Sequence, residues 1–246
     1  VLEFPAVLEK IAARALSELG RERVLELGPA THQGWAQAEL QRVEEVALFL
    51  GRNRDWVAPE IPDSRAGLKR LALAGNVLEP LELYGLGALL SAGRHLDEDL
   101  SSFREEMPNL VFLRDGLYKD RGLEKGILRV VDGEGTVLDT ATRELGRIRG
   151  SLRRAHNRIV QALEKFLKTL PDRIVLADAS VTIRGGRYAI PIRREGKGDV
   201  GGVVLDESAT GATLFVEPPV AQQMMNDLKA LERDEAREVQ RILRAA

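Results

Sequence analysis

Two segments with helical spacing of apolar residues enclose one strand-like stretch in the second half of the chain. Between about residues 142 and 170 apolar positions recur every three or four residues, which predicts a long helix with a heptad-like seam. The seam consists of Leu145, Ile148, Leu152, Ala155, Ile159, Ala162 and Phe166, and it is widened by Leu163, Leu167 and Leu170. A second amphipathic helix is predicted from about Pro219 to the last residue, since proline is favourable in a first helical turn. Two long helices that enclose a β segment are expected to pack antiparallel.

The stretch Val181–Pro218 predicts a small antiparallel sheet. Gly185–Gly186 separates two β-rich runs, which indicates a two-residue hairpin with Arg184 opposite Arg187. Pro191 indicates that the second strand is at an edge of the sheet, at least at that point. Residues 193–199 read as a flexible, mostly basic loop, and two later apolar runs complete the sheet.

The first half of the chain shows helical periodicity throughout, with Ser64 and Glu79–Pro80 among its helix-start signals. Asp132–Gly133 between β-branched runs then predicts a short hairpin. The fold class is therefore mainly α with a small antiparallel β subdomain. The expected organisation is a helical domain at 1–125, a β hairpin connector at 126–140, a helical arm at 141–170, a β tip at 171–218 and a return helix at 219–246.

The amino-acid composition limits the classes of protein and the cellular compartments that are expected for this chain. No run of about 18 apolar residues occurs, so no membrane span is expected, and no signal peptide is recognisable. The chain has no cysteine, which excludes disulfides and thiolate sites and favours a cytoplasmic origin. It starts with Val1 and stops within a predicted helix, so a fragment of a longer protein is expected.

Charge is unevenly distributed, although the net charge is only −2. Residues 141–246 hold 19 Lys/Arg and 14 Asp/Glu, a balance of +5, whereas residues 1–140 carry −7. A basic half indicates a polyanionic partner. The alternative is a helix-rich surface whose arginines are simply solvated.

Several cations of the tip and the arm are candidates for phosphate contacts. An anion between Arg184 and Arg187 would relieve their repulsion; alternatively both side chains extend into water. Contacts of this kind carry no sequence specificity, and few aromatic residues accompany the charges for base stacking. The candidate nucleic-acid-binding residues are Arg184, Arg187, Arg193, Arg194 and Lys197 in the tip, with Arg153, Arg154 and Arg158 on the arm.

No catalytic or metal-binding residue is predicted. Ser208 lies in a turn of small residues but lacks the glycine two positions earlier that a nucleophile elbow requires. Gly196, Gly198 and Gly201 match a dinucleotide fingerprint only in spacing, because a strand follows where a helix is needed. The three histidines are far apart in sequence, and there is no phosphate-binding loop of the P-loop type.

Four stretches of the chain carry a recognisable pattern. They are LEFPAVLEKIAARALSELGRERVLEL at 2–27, DSRAGLKRLALAGNVLEPLELYGLGALLSAGRHL at 63–96, VLDTATRELGRIRGSLRRAHNRI at 137–159 and VTIRGGRYAIPIRREGKGDVGGVVLDESATGATLFVEP at 181–218. In sequence and in order these stretches resemble the bacterial MutS-two family, the MutS paralogues associated with suppression of homologous recombination.

The resemblance implies a MutS-like core, then lever helices that carry a clamp-like tip. Members of the family continue into a P-loop ATPase domain, which uses ATP and Mg and dimerises, and often into an Smr nuclease domain. Mismatch recognition is not implied, because the domains that read mismatches in MutS have no counterpart here. The family is also linked to clearing stalled ribosomes.

Three functions remain open from the sequence. The first is a clamp on branched or duplex DNA that serves suppression of recombination. The second is an arm that binds ribosomal RNA in the rescue of stalled or collided ribosomes. The third is a structural arm for dimerisation, and the resemblance ranks them in this order, with a homodimer expected for the full-length form. For the fragment itself, no enzyme activity, no bound cofactor and no membrane partner are predicted.

Overall fold

The computed structural model describes residues 3–246, so Val1 and Leu2 of the predicted 1–125 domain lie outside the described residues. The fold is mainly α-helical with one four-stranded antiparallel sheet, which confirms the predicted fold class. The chain divides into two compact units. The first extends to Leu138 and also contains Leu243–Ala246, and the second is Asp139–Ile242.

The first unit consists of helices joined by short loops. Local caps begin several of them: Ser17 Oγ accepts the N–H of Gly20 at 3.0 Å, and a carboxylate oxygen of Glu82 accepts the N–H of Glu79 at 3.0 Å. The elements are α1 (Phe4–Ala12), α2 (Glu18–Leu25), α3 (Gln33–Arg52), α4 (Arg65–Leu71), α5 (Pro80–Ser102), a 3-10 helix (Pro108–Gly116) and α6 (Arg121–Leu128).

The start of α4 differs from its predicted cap. Ser64 precedes the helix, but its buried hydroxyl has no hydrogen-bond partner among the described residues. Asp63 replaces it, since Oδ1 of Asp63 accepts the N–H of Arg65 at 3.0 Å. The Arg65 guanidinium also binds Asp63 and Glu22. These hydrogen bonds from Arg65 lower the pKa of Asp63 to about 2. An ionised carboxylate is a stronger acceptor than a hydroxyl, which explains the exchange.

The β hairpin predicted at 126–140 forms only in part. Its turn is present, because the N–H of Asp132 donates to the Thr136 carbonyl at 3.1 Å and the N–H of Leu138 to the Val130 carbonyl at 2.8 Å. Residues 126–128 are the end of α6, and within 126–140 a single bridge joins Val131 to Val137. Asp132 closes the turn between them, because its carboxylate accepts the N–H of Thr136 at 2.9 Å. Ile127 is buried on the apolar face of α6. Packing of that face therefore outweighs the β propensity of the neighbouring valines.

The second unit is built on two long helices, α7 (Arg143–Leu167) and α9 (Pro219–Ala245). They are antiparallel, as predicted. The start of α7 lies beside the C-terminal part of α9, because the hydroxyl of Thr142 donates to the Glu238 carboxylate at 2.7 Å.

The seam of α7 is buried along the length of the helix. It follows the predicted seven positions up to Ile159, which is fully buried. It then passes to Leu163 and Leu167, two of the residues predicted to widen the seam, while Ala162 and Phe166 are half-buried. An α-helix has 3.6 residues per turn, so a fixed seven-residue repeat drifts around a straight helix. That drift accounts for the change at the C-terminal end of the seam.

The four strands lie in the order β1-β2-β4-β3, all antiparallel. The hairpin register is confirmed, with Arg184 opposite Arg187. Gly185 and Gly186 have φ values of 56° and 71°, which the two-residue type I′ turn requires. The strands are β1 (Thr182–Arg184), β2 (Arg187–Arg193), β3 (Val203–Glu207) and β4 (Thr213–Glu217).

The segment predicted as a flexible loop at 193–199 has regular structure: Arg193 ends β2, and the residues after it are helical. A 3-10 turn at Arg194–Gly196 leads directly into a one-turn helix, α8 (Lys197–Val200). The turn packs closely on the core, because a Cβ added to Gly196 would lie 2.3 Å from the Ile174 side chain. The basic character of the loop does not reveal this contact, which depends on a residue about twenty positions earlier.

Pro191 lies in an inner strand, yet one side of β2 changes partner there. By strand alternation, its nitrogen points to the same side as the N–H of Arg193, which donates to the carbonyl of Ile174 at 2.8 Å. On that side β1 pairs with β2 only as far as Ala189, and a bridge from Val175 to Ile192 follows. The missing N–H of Pro191 therefore falls between β1 and the segment around Val175, where that side of β2 has no strand partner. The edge predicted from Pro191 exists at that point only.

One face of the sheet packs on the two long helices. The residues of this face alternate with those of the other face along each strand. The core-facing side chains of the sheet and the apolar side chains of the two helices form the main hydrophobic core of the second unit. This core contains Ile190, Ile192, Leu214 and Val216 from the sheet, Ile159 and Leu163 from α7, and Met225 and Leu228 from α9.

Candidate nucleic-acid interface

The outer face of the sheet, which points away from the core, carries several of the predicted contact residues. The pairing register and strand alternation place Arg184, Arg187 and Arg193 on this face. Asp206 and Glu217 share it. The face therefore presents cations and carboxylates together, whereas only the cations were predicted as site residues.

Arg184 extends across the outer face, although β1 and β3 are at opposite edges of the sheet. Its guanidinium lies 4.1 Å above the ring centroid of Phe215 and 3.1 Å from a carboxylate oxygen of Asp206. A cation over an aromatic ring with a carboxylate at its rim is a stable arrangement. Asp206 and Phe215 thus balance the charge of Arg184 within the sheet, a contact that neither predicted alternative includes.

Arg187 makes a two-pronged ion pair with Glu217. The two nitrogen–oxygen distances are 2.8 and 2.6 Å, and Glu217 is only 2% exposed. Hydrogen bonding to this carboxylate raises the pKa of Arg187 further above its usual value. Since both prongs of the guanidinium are engaged by a buried carboxylate, Arg187 acts mainly to hold β2 against β4.

Arg194 fastens the turn that follows β3. Its guanidinium donates to the Gly211 carbonyl at 2.5 Å and to Glu207 at 2.6 Å. Ser208 belongs to the same turn, where its hydroxyl accepts the N–H of Thr213 at 3.1 Å. Gly211 has a φ of 69°, which favours glycine. Each of these side chains thus has a structural role in the turn.

Arg193 and Lys197 differ from the other cations of the tip. Both are exposed, and neither side chain has a hydrogen bond or ion pair to any residue that the structure describes. They remain available to a partner outside the chain.

The three predicted arm residues likewise include one cation with a carboxylate partner and two without. Arg153 pairs with Asp139 at 3.1 Å, and Asp139 also binds Arg149 at 2.7 Å. These two guanidinium groups, that of Arg149 first, lower the pKa of Asp139. By contrast, Arg154 contacts the Ser151 hydroxyl at 3.0 Å, and Arg158 is exposed without a partner in residues 3–246.

The carboxylates that neutralise these cations were not predicted from the sequence. Asp206 and Glu217 are 22 and 30 residues from their arginine partners in sequence. Only the pairing of β2 with β4 and of β4 with β3 brings them onto one face. The alternation along β4 places Glu217 on the same face as Phe215. To use this signal, however, one must know the register between β2 and β4, which are neighbours in the sheet but not consecutive in sequence.

Neither a metal centre nor a membrane segment is found in residues 3–246. No group of three or more His, Asp or Glu side chains in that range is placed to hold a metal ion. None of the helices in the described part combines the length and apolar character needed to cross a bilayer.

Known proteins similar to this chain are named Endonuclease MutS2. The protein of Gemmatimonas aurantiaca is 37% identical over 248 residues, which cover 100% of this chain and 30% of the relative. Those of Listeria welshimeri and Geobacillus thermodenitrificans are 37% and 38% identical and cover 99% of this chain and 31% of their own length. No protein-family model matches the sequence. The resemblance to the MutS-two family is thereby confirmed: this chain is a MutS2 homologue over its whole length and spans about 30% of the length of the curated relatives that it matches.

Proposed function

We propose that this chain is a nucleic-acid-binding segment of a MutS2-like protein and that it binds the phosphate backbone of branched or duplex DNA. The observation that carries the proposal is that four of the eight predicted contact residues are exposed and have no carboxylate partner among the described residues. They are Arg193 and Lys197 in the tip and Arg154 and Arg158 on α7. Unpaired cations lose no ion pair when they meet a phosphate.

For the whole protein we propose the role that the family resemblance implies. An ATP-driven clamp would close on DNA, with the levers (α7 and α9) linking the core at 1–125 to the tip at 171–218, and would suppress homologous recombination. The relatives are named endonucleases. We propose this activity for the whole protein and assign it to no residue of this chain.

The test is a binding titration of the 246-residue chain with a four-way DNA junction and with a matched DNA duplex. Fluorescence anisotropy of the labelled DNA measures the binding. Four phosphate contacts predict a slope of about −3.6 in a plot of log affinity against log salt, or about 150-fold weaker binding at 200 than at 50 mM salt. Binding that is equal at the two salt concentrations, or absent at 50 mM, would contradict the proposal. Co-sedimentation with ribosomes without a shift of either DNA would favour ribosomal RNA instead.

A second function, self-association, is favoured by an apolar patch on the first unit. Val43 of α3 is 65% exposed and Phe112 of the neighbouring 3-10 helix is 50% exposed. Leu40, Leu50 and Leu113 are exposed beside them. Light scattering across a range of concentrations tests a homodimer: Val43→Glu should lower the mass if this patch is the interface, whereas Val57→Glu, at another exposed apolar position, should not.

A further inference from the structure

A row of six cations follows the solvent side of α7, on the face opposite its buried seam. At about 100° per residue, the six positions fall within an arc of roughly 80° on the helix surface. The row extends over about 37 Å at 1.5 Å per residue. We call it the α7 stripe; its members, all exposed, are Arg143, Arg147, Arg154, Arg158, Lys165 and, at the C-cap, Lys168.

The stripe is poorly neutralised by the protein itself. Only Arg147 has a carboxylate partner, Glu144, at 2.6 Å. Arg154 contacts a serine hydroxyl, and the remaining four make no hydrogen bond or ion pair with the described residues. Both acidic residues of α7, Glu144 and Glu164, fall outside the arc by helical geometry. The carboxylate of Asp139, in contrast, is used by the flanking cations Arg149 and Arg153.

The geometry of the stripe fits a stiff, regular polyanion. Successive members rise by about 4.5 to 10.5 Å along a straight helix, and the whole row matches about eleven base pairs of duplex at 3.4 Å each. The arc contains no aromatic side chain on which unpaired bases could stack. Arginine guanidinium groups bind phosphate oxygens in pairs and without reading bases.

We infer that the α7 stripe is a docking surface for the phosphate backbone of double-stranded DNA, lying along the helix. The inference rests on the proposed function and changes its location: the principal contacts are on α7, and Arg184 and Arg187 of the tip support the sheet. Arg143, Lys165 and Lys168 thereby become contact residues, although they are not among the candidates predicted from the sequence.

The test compares three double variants that each remove two positive charges. The stripe variant is Arg154→Gln with Arg158→Gln. The tip variant is Arg193→Gln with Lys197→Gln. The matched control, on the exposed surface of α9, is Arg233→Gln with Arg237→Gln. Glutamine keeps a good helix propensity, so circular dichroism should be unchanged.

The stripe variant should reduce the salt slope for a 22-base-pair DNA duplex by about 1.8. The wild type should therefore lose about 12-fold more affinity than the stripe variant between 50 and 200 mM salt. The control should follow the wild type within about twofold. If the stripe variant also follows the wild type while the tip variant weakens binding, the inference fails and the proposed function stands.

If the wild type does not bind the DNA duplex at 50 mM salt, both the inference about the α7 stripe and the proposed function fail. An RNA duplex of equal length serves as the last comparison. Tighter binding of that RNA than of the DNA, with the same dependence on the stripe, would overturn the assignment to DNA.

Discussion

Replacing Arg187 with methionine separates a structural role of this cation from a role in binding. Methionine keeps most of the length of the side chain but leaves the Glu217 carboxylate, which is 2% exposed, without its two charge-assisted hydrogen bonds. Breaking a buried ion pair on one side costs about 3–5 kcal/mol. The side chain of Arg187 is itself 27% exposed, so we expect a smaller loss of about 2–3 kcal/mol in the stability of the sheet.

Hydrogen exchange measured by mass spectrometry reports this loss locally, since the two units need not unfold together. Peptides that cover β2 and β4 should exchange about 30- to 150-fold faster in the variant. Arg193→Met is the control: it lies on the same strand and face, is exposed, and has no side-chain partner among the described residues. It should change exchange by no more than about twofold.

A double variant tests whether the unpaired Glu217 carboxylate causes the loss of stability. Combining Arg187→Met with Glu217→Met removes the stranded carboxylate and should restore most of the lost protection. Equal exchange in Arg187→Met and Arg193→Met, or no recovery in the double variant, would refute the role of the ion pair. Binding of duplex DNA under native conditions should change little in Arg187→Met, whereas a phosphate contact would lower the salt slope by about 0.9.

Three further predictions concern stability. Gly202→Ala should speed exchange in β3 by at least tenfold, because its φ is 80° and a Cβ there would lie 2.1 Å from the Glu217 carbonyl; normal exchange would contradict this. Hydrogen bonding from Arg241 lowers the pKa of Glu238 to about 2, so its stabilising effect is complete above the unfolded pKa near 4.5 and disappears as pH falls towards 2. Thermal melts of Glu238→Gln should therefore lose part of their pH dependence in that window. Ile159→Ala, at a fully buried position, should lower the free energy of unfolding in urea by about 2–4 kcal/mol, and a loss below 1 kcal/mol would contradict the seam.

The features predicted correctly are those that depend on residues close in sequence. The periodicity of α7 determines its buried face, and Gly185–Gly186 determines the register of the first hairpin because the turn allows only one. Where local preferences compete, as at 126–140, the prediction holds only in part. The residues before Val131 have strand-like composition, yet the apolar face of α6 continues through Ile127 and is buried.

The candidate interface was less accessible to sequence reasoning, because the availability of a cation depends on distant carboxylates. Arg187 and Arg193 occupy equivalent positions on β2, yet the first is engaged by Glu217 and the second is not. The α7 stripe shows the converse. Its spacing is visible in the sequence, but its lack of partners becomes apparent only when Asp139 is seen to bind Arg149 and Arg153.

The interruption at Pro191 has a consequence for how other chains can approach the tip. Strand addition by a foreign peptide requires an uninterrupted row of free N–H and C=O groups along a sheet edge. One edge is β1, which has only three residues, and beyond it the side of β2 passes at Pro191 to the segment around Val175. The opposite edge, β3, has a shift in register between Val204 and Asp206. The tip is thus protected from edge-to-edge aggregation, and a partner must engage it through side chains.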